Sequence, residues 1–404
     1  MTRLILTLNA GSSSIKFGVY SAEDGKPVLV AKGQVEGIAT QPHFVAKAAA
    51  GNLLSEAYWE PVRSGSGHAI AFRKIWSWLG DSFGSDEIMA VGHRIAHGGA
   101  KYPEPVLIDD AVAQELTRLV PLVPLHQPHN LAAVNAVQKS HPGLPQVACF
   151  DTAFHCNRPT VSDCFALPYE LYEKGIRRYG FHGLSYEFVA QRLCEVAPDI
   201  ADGRVVIAHL GSGCSMCAVQ HGRSVETTMS FSALDGVPMG TRCGTLDPGV
   251  LLYLMQSEKM GAEELQDLLY KRSGLLGLSG ISNDMRELAA SEDPRAGMAI
   301  DYFVYRVGQQ LGALCAALGG IDALIFTAGI GENDATLRRR VCEDAAWLGI
   351  ALDEEANRQA DLRISAPDSR ASVWVIPTDE EIMIASHTYR LVEHGASVRR
   401  TASL

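Results

Sequence analysis

The sequence predicts an α/β chain built as two domains that repeat one design, and three observations carry that prediction. The chain has 404 residues, more than one compact core usually covers. An apolar strand that stops at a glycine and serine turn and resumes as a second apolar strand occurs at residues 4–20 and again at residues 205–219. Gly11 and Gly211 of the two turns lie 200 residues apart, close to half the chain, which reads as a duplication.

The first copy begins with the strand LILTL at residues 4–8, followed by NAGSSS and a second strand at residues 15–20. The turn holds more polar residues than a hairpin needs. Small residues let backbone N–H groups approach a ligand, and the Ser hydroxyls with Asn9 and Lys16 add donors suited to phosphate oxygens. A plain Gly/Ser hairpin is the alternative reading of this stretch alone. In the second copy, VVIAHL leads into Gly211-Ser212-Gly213 and then CSMCAV. Two such hairpins, one per half, suggest a phosphate-bearing ligand held between the copies. A third glycine loop, FTAGIGEN at residues 326–333, follows a strand and suits a nucleoside or phosphate contact.

Composition narrows the function. Hydrophobic residues at 47% and charged residues at 20% describe a chain with ample apolar surface to bury. The 46 acids exceed the 35 bases and neither sign forms blocks, which argues against nucleic acid as a partner. Nine cysteines without regular spacing read as reduced thiols and point to a cytoplasmic protein. One charge, Arg3, precedes a short apolar run with no cleavage site, so Met1 is expected to belong to the fold. Residues 311–331 carry one charge, Asp322, but Gly319-Gly320 splits them into a helix end and a buried strand, so no membrane span is expected. No G-x-x-x-x-G-K-[ST] is present, which excludes a P-loop enzyme, and no G-x-G-x-x-G opens a helix, which leaves a dinucleotide oxidoreductase little support.

The stretches NAGSSSIKF, GHRIAHGG, CFDTAFH, RRYGFHG, HLGSGCS, MGTRCG, SNDMREL, FTAGIGEN and PTDEE run in that order from residue 9 to residue 381. By these motifs the chain resembles the acetate kinases over nearly its whole length. The resemblance implies the superfamily of acetate and sugar kinases, heat-shock chaperones and actin, whose duplicated ribonuclease-H-like domains close on ATP. It also implies a homodimer, and magnesium, or manganese in its place, as the metal. The first domain is expected over residues 1–150 plus a returning C-terminal helix at 385–404, holding the acyl substrate and phosphates; residues 151–384 would bind the nucleotide.

Phosphoryl transfer is mostly positioning and charge neutralisation, and a carboxylate acceptor, already ionised, brings a second anion to ATP, so arginines are wanted. Arg94 follows the apolar segment IMAVG at a strand's end, and Arg242 lies among glycines in a loop. By resemblance these guanidinium groups hold the carboxylate and the transferring phosphoryl, where Arg serves better than Lys; either alone could be a surface ion pair. Asp151, at the end of the strand QVACF, could be a helix N-cap or, by resemblance, a carboxylate serving the metal or the substrate. His182 in YGFHG, beside Arg177 and Arg178, resembles the family's transition-state histidine, although a lone histidine is more often structural. Glu380 matches the metal carboxylate, with Asn9 as a second candidate, and Glu381 reads as an ordinary first-turn acid. Asn9, Ser12, Ser14 and Lys16 would cradle phosphate. His209, Gly211, Ser212 and Gly213, with Asp284, Met285, Arg286, Gly329, Ile330, Gly331 and Asn333, would bind the rest of the nucleotide.

His93 and His97 have i,i+4 spacing, but HRIAH lacks a zincin glutamate, and Cys214 and Cys217 fall in the second hairpin and read as core. Ser212 departs from the family's usual asparagine, so contact there is expected to be weaker or water-mediated. In the acyl pocket Ala96 replaces a usual valine and Ala233 a proline, while Leu125 and Phe181 match. The pocket is therefore expected to admit propionate as well as acetate, since a methylene is worth about 1–3 kcal/mol of discrimination. The reaction implied is reversible, direct in-line transfer from ATP to acetate. Two competing readings are an ATP-switched binding protein, for which the chain has no spare peptide-binding segment, and a sugar kinase, which leaves the arginines unexplained.

Overall fold

The computed structural model describes residues 3–22, 25–61, 67–84 and 87–401, with side chains through Glu393. Met1 and residues 402–404 of the expected terminal helix lie outside the described residues. The chain divides into two compact units, Met1–Ala153 with Asp379–Leu404, and Phe154–Thr378. The expected breaks were at 150/151 and 384/385. The units instead divide so that Asp151, at the end of its strand, and Glu380, on the first turn of the terminal helix, both belong to the first.

In the first unit the strands are β1 (Leu4–Ala10), β2 (Ile15–Ser21), β3 (Val28–Glu36), β4 (His43–Ala48), β5 (Leu53–Tyr58), β6 (Ile88–Ile95), β7 (Val106–Leu107) and β8 (Gln146–Phe150). They form one sheet in the order β5-β4-β3-β2-β1-β6-β8-β7. In the second unit β9 (Arg204–Leu210), β10 (Cys214–Gln220), β11 (Arg223–Thr227), β12 (Ala323–Thr327) and β13 (Ser372–Val375) form the order β11-β10-β9-β12-β13. The segment β3-β2-β1-β6-β8 of the first sheet and the whole second sheet share one pattern. Each has an antiparallel meander of three strands, then two parallel additions beside the first strand. The repeated hairpins read as a duplication, and this is the duplicated ribonuclease-H-like arrangement that the resemblance implies.

The central strands are buried along nearly their whole length because helices cover both faces. In the first unit Leu6, Leu8 and Phe17 pack with Phe72, Ile75 and Trp78 of helix Gly67–Phe83. The opposite face carries Ile5 and Tyr20 against Ala385 of helix Glu380–Thr401. That helix comes so close to β6 that a Cβ on Gly92 would collide with Thr388 Oγ1 and Ile384 Cγ2, which explains the glycine inside a buried strand. In the second unit Tyr186, Val189 and Leu193 of helix Gly183–Val196 pack on Val205, Ile207 and Ile325.

Helix Pro294–Leu318 is bounded as its sequence dictates. Asp293 caps its N-terminus by accepting from Arg295 N, proline occupies the first turn, and Gly319 ends it in the left-handed conformation. Residues 311–331 are thus a helix end, β12 and the start of a further helix, and among the described residues no helix is long and apolar enough to cross a membrane. None of the nine cysteines is joined in a disulfide.

Candidate active site

The first turn is closed by Gly11 N donating to Ser14 O at 2.8 Å, between the paired residues Ala10 and Ile15. Ser12 and Lys16 are exposed and Ser14 is half-buried, so their polar groups remain open to a ligand. Beneath them the parallel neighbours β1 and β6 bring Asn9 and Arg94 together, with Arg94 Nη1 donating to Asn9 Oδ1 at 3.2 Å. Asp151, one residue beyond β8, takes the other face of the guanidinium, accepting from Nη2 at 2.6 Å. Glu380 Oε2 lies 3.7 Å from Arg94 Nε. Four residues distant in sequence thus converge at the carboxyl ends of adjacent strands, where α/β folds place ligands.

The electrostatics of this cluster are acidic. Burial, opposed by Arg94 and reinforced by Asp151 and Glu381, pushes the Glu380 carboxyl up to about 7. Burial works against the Arg94 charge, but Asp151 and Glu380 more than offset it and hold the guanidinium protonated far above neutral pH. Three carboxylates facing two cations, Arg94 and Lys16, leave an unbalanced negative charge.

In the second unit the hairpin turn is one residue shorter, Gly211–Gly213 between the paired Leu210 and Cys214. A Cβ on Gly213 would lie 3.3 Å from His182 Nε2 and 3.9 Å from Arg242 Nη1, so an imidazole and a guanidinium converge on one backbone glycine. His182 is the N-cap of helix Gly183–Val196 and adopts φ 59°, a conformation costly for a residue with a side chain and typical of functional positions. Its ring stacks on His209 at 4.2 Å, and Ser185 Oγ lies 2.8 Å from His209 Nδ1. Arg242 Nη1 donates to the Ala233 carbonyl at 3.1 Å. The basic pair beside His182 does not join it: Arg178 donates to Glu226 and to the Thr227 carbonyl, and Arg177 lies over the Tyr172 ring.

A cavity of about 910 Å³ opens in this unit, large enough for a nucleoside. Its lining contains Gly211, Ser212, Asp284, Met285, Arg286, Gly329, Ile330 and Asn333, all singled out from sequence. Asn283 also lines it, inside the quoted stretch SNDMREL but not singled out there, and so does Phe303, which carries no motif signal that sequence reading could have used. Asp284 is the N-cap of helix Met285–Ala289 and is held down to about 2 by hydrogen bonds from Arg286. The third glycine loop is not a loop: Ala328–Asn333 is a short helix. Glu332 Oε1 accepts from Ala328 N at 2.7 Å, satisfying a first-turn donor, and the buried Arg338 donates to the Gly331 and Glu332 carbonyls at the other end. Gly331 faces Phe326 and Ala208 rather than the cavity.

Of the residues expected to contact an acyl chain, Ala96 and Leu125 belong to the first unit and Phe181 and Ala233 to the second; Ala96, Phe181 and Ala233 are buried. His93 Nε2 pairs with Gln146 Oε1 at 2.8 Å, and His97 Nδ1 accepts from Gly99 N. Burial pushes the Cys214 and Cys217 thiols up to about 12, as expected of core residues.

Against known proteins, the acetokinase family profile matches residues 4–386. The chain belongs to the acetokinase family. It is 53% identical over 400 residues to an acetate kinase of Rhodopseudomonas palustris, covering 98% of this chain and 100% of that one. It is 55% identical over 398 residues to an acetate kinase of Nitrobacter hamburgensis, covering 98% of each. Among solved structures, Porphyromonas gingivalis acetate kinase aligns with TM-score 0.85 at 39% identity, covering 96% of this chain and 100% of that one. A propionate kinase from Francisella tularensis aligns with TM-score 0.89 at 36% identity and the same coverage.

Proposed function

We propose that this acetokinase-family chain transfers the terminal phosphoryl group of ATP reversibly to acetate, giving acetyl phosphate, by direct in-line displacement. The observation that carries the reading is the convergence of His182 Nε2 and Arg242 Nη1 on Gly213, at the tip of a hairpin whose neighbouring residues line the large cavity. Two donors beside a backbone glycine suit the equatorial oxygens of a phosphoryl group in transfer.

In this reading the cavity takes the nucleoside, Asp284 and Arg286 lie at its sugar side, and Ile330 contacts the purine. Asn9, Ser12, Ser14 and Lys16, with His209 and Gly211–Gly213, serve the phosphates. Arg94 and Arg242 neutralise the carboxylate and the moving phosphoryl group. Asp151 orients Arg94 by the two-point contact it makes, and no general base is needed for an acceptor already ionised.

Magnesium suits the first cluster. Among the described residues no group of three or more His, Cys, Asp or Glu side chains forms a metal cage. Magnesium is held instead through one or two carboxylates together with phosphates, and the excess of carboxylate charge around Glu380 leaves a place for a cation. Glu380 and Asn9 would hold it, and it would supply charge neutralisation between the phosphates.

Ala96 and Leu125 of the first unit, and Phe181 and Ala233 of the second, are the candidates for acyl recognition, and the small residues at 96 and 233 favour propionate as a second substrate. We place the chain in the cytoplasm as a homodimer. Helix Pro248–Gln256 supports the dimer: Leu252 and Tyr253 are each 56% exposed and Met255 49%, an apolar surface that a second copy would cover. The test is trapping of acyl phosphate as hydroxamate from ATP, magnesium and acetate, with Arg242→Ala as control. Product that collapses in the variant supports the reading, and no product from either acid with ATP still bound would return the chain to a nucleotide-switched binding role.

A further inference from the structure

Tyr186, Ser215 and His182 form a hydrogen-bonded chain inside the second unit. Tyr186 Oη lies 2.5 Å from Ser215 Oγ, and Ser215 Oγ lies 2.7 Å from His182 Nδ1. Tyr186 and Ser215 are both fully buried. Their placement follows from the local fold. Tyr186 is one turn beyond His182 and donates its backbone N–H to the His182 carbonyl. Ser215 pairs with His209 across the β9–β10 hairpin, and His209 stacks on the His182 ring.

Counting protons along the chain fixes their direction. Burial raises the Tyr186 hydroxyl well above its ordinary titration range, so it keeps its proton. A buried O–H needs an acceptor, and among the described residues Ser215 Oγ is the one side-chain hydrogen-bond partner of Tyr186. Tyr186 therefore donates to Ser215. The Ser215 hydroxyl has a single proton of its own, which is left for His182 Nδ1 to accept. An imidazole accepting at Nδ1 carries its proton at Nε2, the atom that faces Gly213 beside Arg242.

We propose that Tyr186 and Ser215 are positioning residues that lock His182 in the neutral tautomer protonated at Nε2, so that it meets the transferring phosphoryl group as a preset donor. The inference rests on the phosphotransfer reading for its purpose, but not for its geometry. A hydrogen bond already pointed at developing charge costs no reorganisation during the reaction, which is where such donors gain their effect. A ring free to choose its tautomer would present a lone pair instead of a proton in part of the molecules and would repel the phosphoryl oxygens.

The experiment is nitrogen NMR of histidine-labelled enzyme without nucleotide, paired with steady-state kinetics. In the unmodified protein His182 is expected to show a protonated Nε2 and an unprotonated, hydrogen-bonded Nδ1. Tyr186→Phe keeps the buried ring, and Ser215→Ala removes the acceptor to the ring. Each should shift His182 toward mixed tautomers and lower kcat for acyl phosphate about tenfold or more, short of the ~100-fold to 1000-fold loss seen when a transition-state donor is removed outright. KM for ATP should stay within about twofold, because the ground-state contacts are retained. Ser215→Thr, which keeps the hydroxyl, should restore both tautomer and kcat. A His182 protonated at Nδ1 in the unmodified protein would overturn the proposal even if neither variant folded. So would folded variants that leave the tautomer and kcat unchanged. A chain that makes no acyl phosphate yet shows the Nε2 tautomer would sink the phosphotransfer reading alone.

Discussion

Arg94 meets Asp151 through two points: Nη2 lies 2.6 Å from Oδ2 and Nε lies 3.0 Å from Oδ1. The Asp151 side chain is 3% exposed, so it has little water to fall back on when its partner is removed. Arg94→Ala is therefore expected to lower stability by about 3–5 kcal/mol in urea denaturation and to abolish acyl phosphate formation. Arg94→Lys keeps the charge but only one contact point, and should fold while losing ~100-fold or more in kcat/KM. An active Arg94→Ala protein would remove this residue from the mechanism.

Acid should destabilise the fold before carboxylates in general titrate. Burial, aided in the last by Arg158, holds His93 and His97 near 4 and His155 near 3, well below the value of about 6.5 in an unfolded chain. Each is thus stable in its neutral form. Its contribution is complete above about pH 6.5 and is lost as pH falls toward 4, by up to ~1.4 kcal/mol per pH unit. Glu380, pushed up to about 7, acts with the opposite sign and takes back part of that loss. The urea midpoint should fall between pH 7 and pH 5, less steeply in His97→Gln; a midpoint that rises over this range contradicts the account.

Ala96 is buried in the turn after β6, where Asn130 Oδ1 accepts from its N–H at 2.9 Å. A larger side chain there should narrow the acyl pocket without disturbing the backbone. Ala96→Val is expected to reduce kcat/KM for propionate relative to acetate by about tenfold. Equal loss for the two acids would place residue 96 away from the acyl chain.

Removing the charge of Glu380 should weaken metal use rather than folding, since burial already opposes that charge. Glu380→Gln is expected to raise the magnesium concentration for half-maximal rate tenfold or more while thermal stability holds or improves. An unchanged magnesium dependence would assign the metal elsewhere.

The apolar face of helix Pro248–Gln256 predicts association. Leu252→Glu should convert a dimer to monomer in sedimentation velocity; a monomer in the unmodified protein would refute the dimer.

What the sequence made legible was local. The two hairpins were readable because each apolar run, glycine turn and return strand lies within about twenty residues, and Asp284 was readable as a cap from its immediate neighbours. The equivalence of the two sheets depends on parallel pairings such as β1 with β6, whose partners are some 80 residues apart and leave no local trace. Residues 326–333 were misread as a loop because glycines weaken a helix signal, whereas Glu332 and the distant Arg338 satisfy its ends. Asn130, donating to the Ala10 carbonyl at 2.7 Å and so bracing the first glycine turn from 120 residues away, carried no sequence signal at all.

Exchange of a phosphoryl group between a nucleotide and a carboxylate runs in both directions, and the reverse reaction gives the sharpest assay of it. Purified protein given acetyl phosphate, ADP and magnesium should produce ATP in proportion to enzyme, and His182→Ala and Arg242→Ala should produce almost none. No ATP from acetyl phosphate or propionyl phosphate, with ADP shown to bind, would contradict the account.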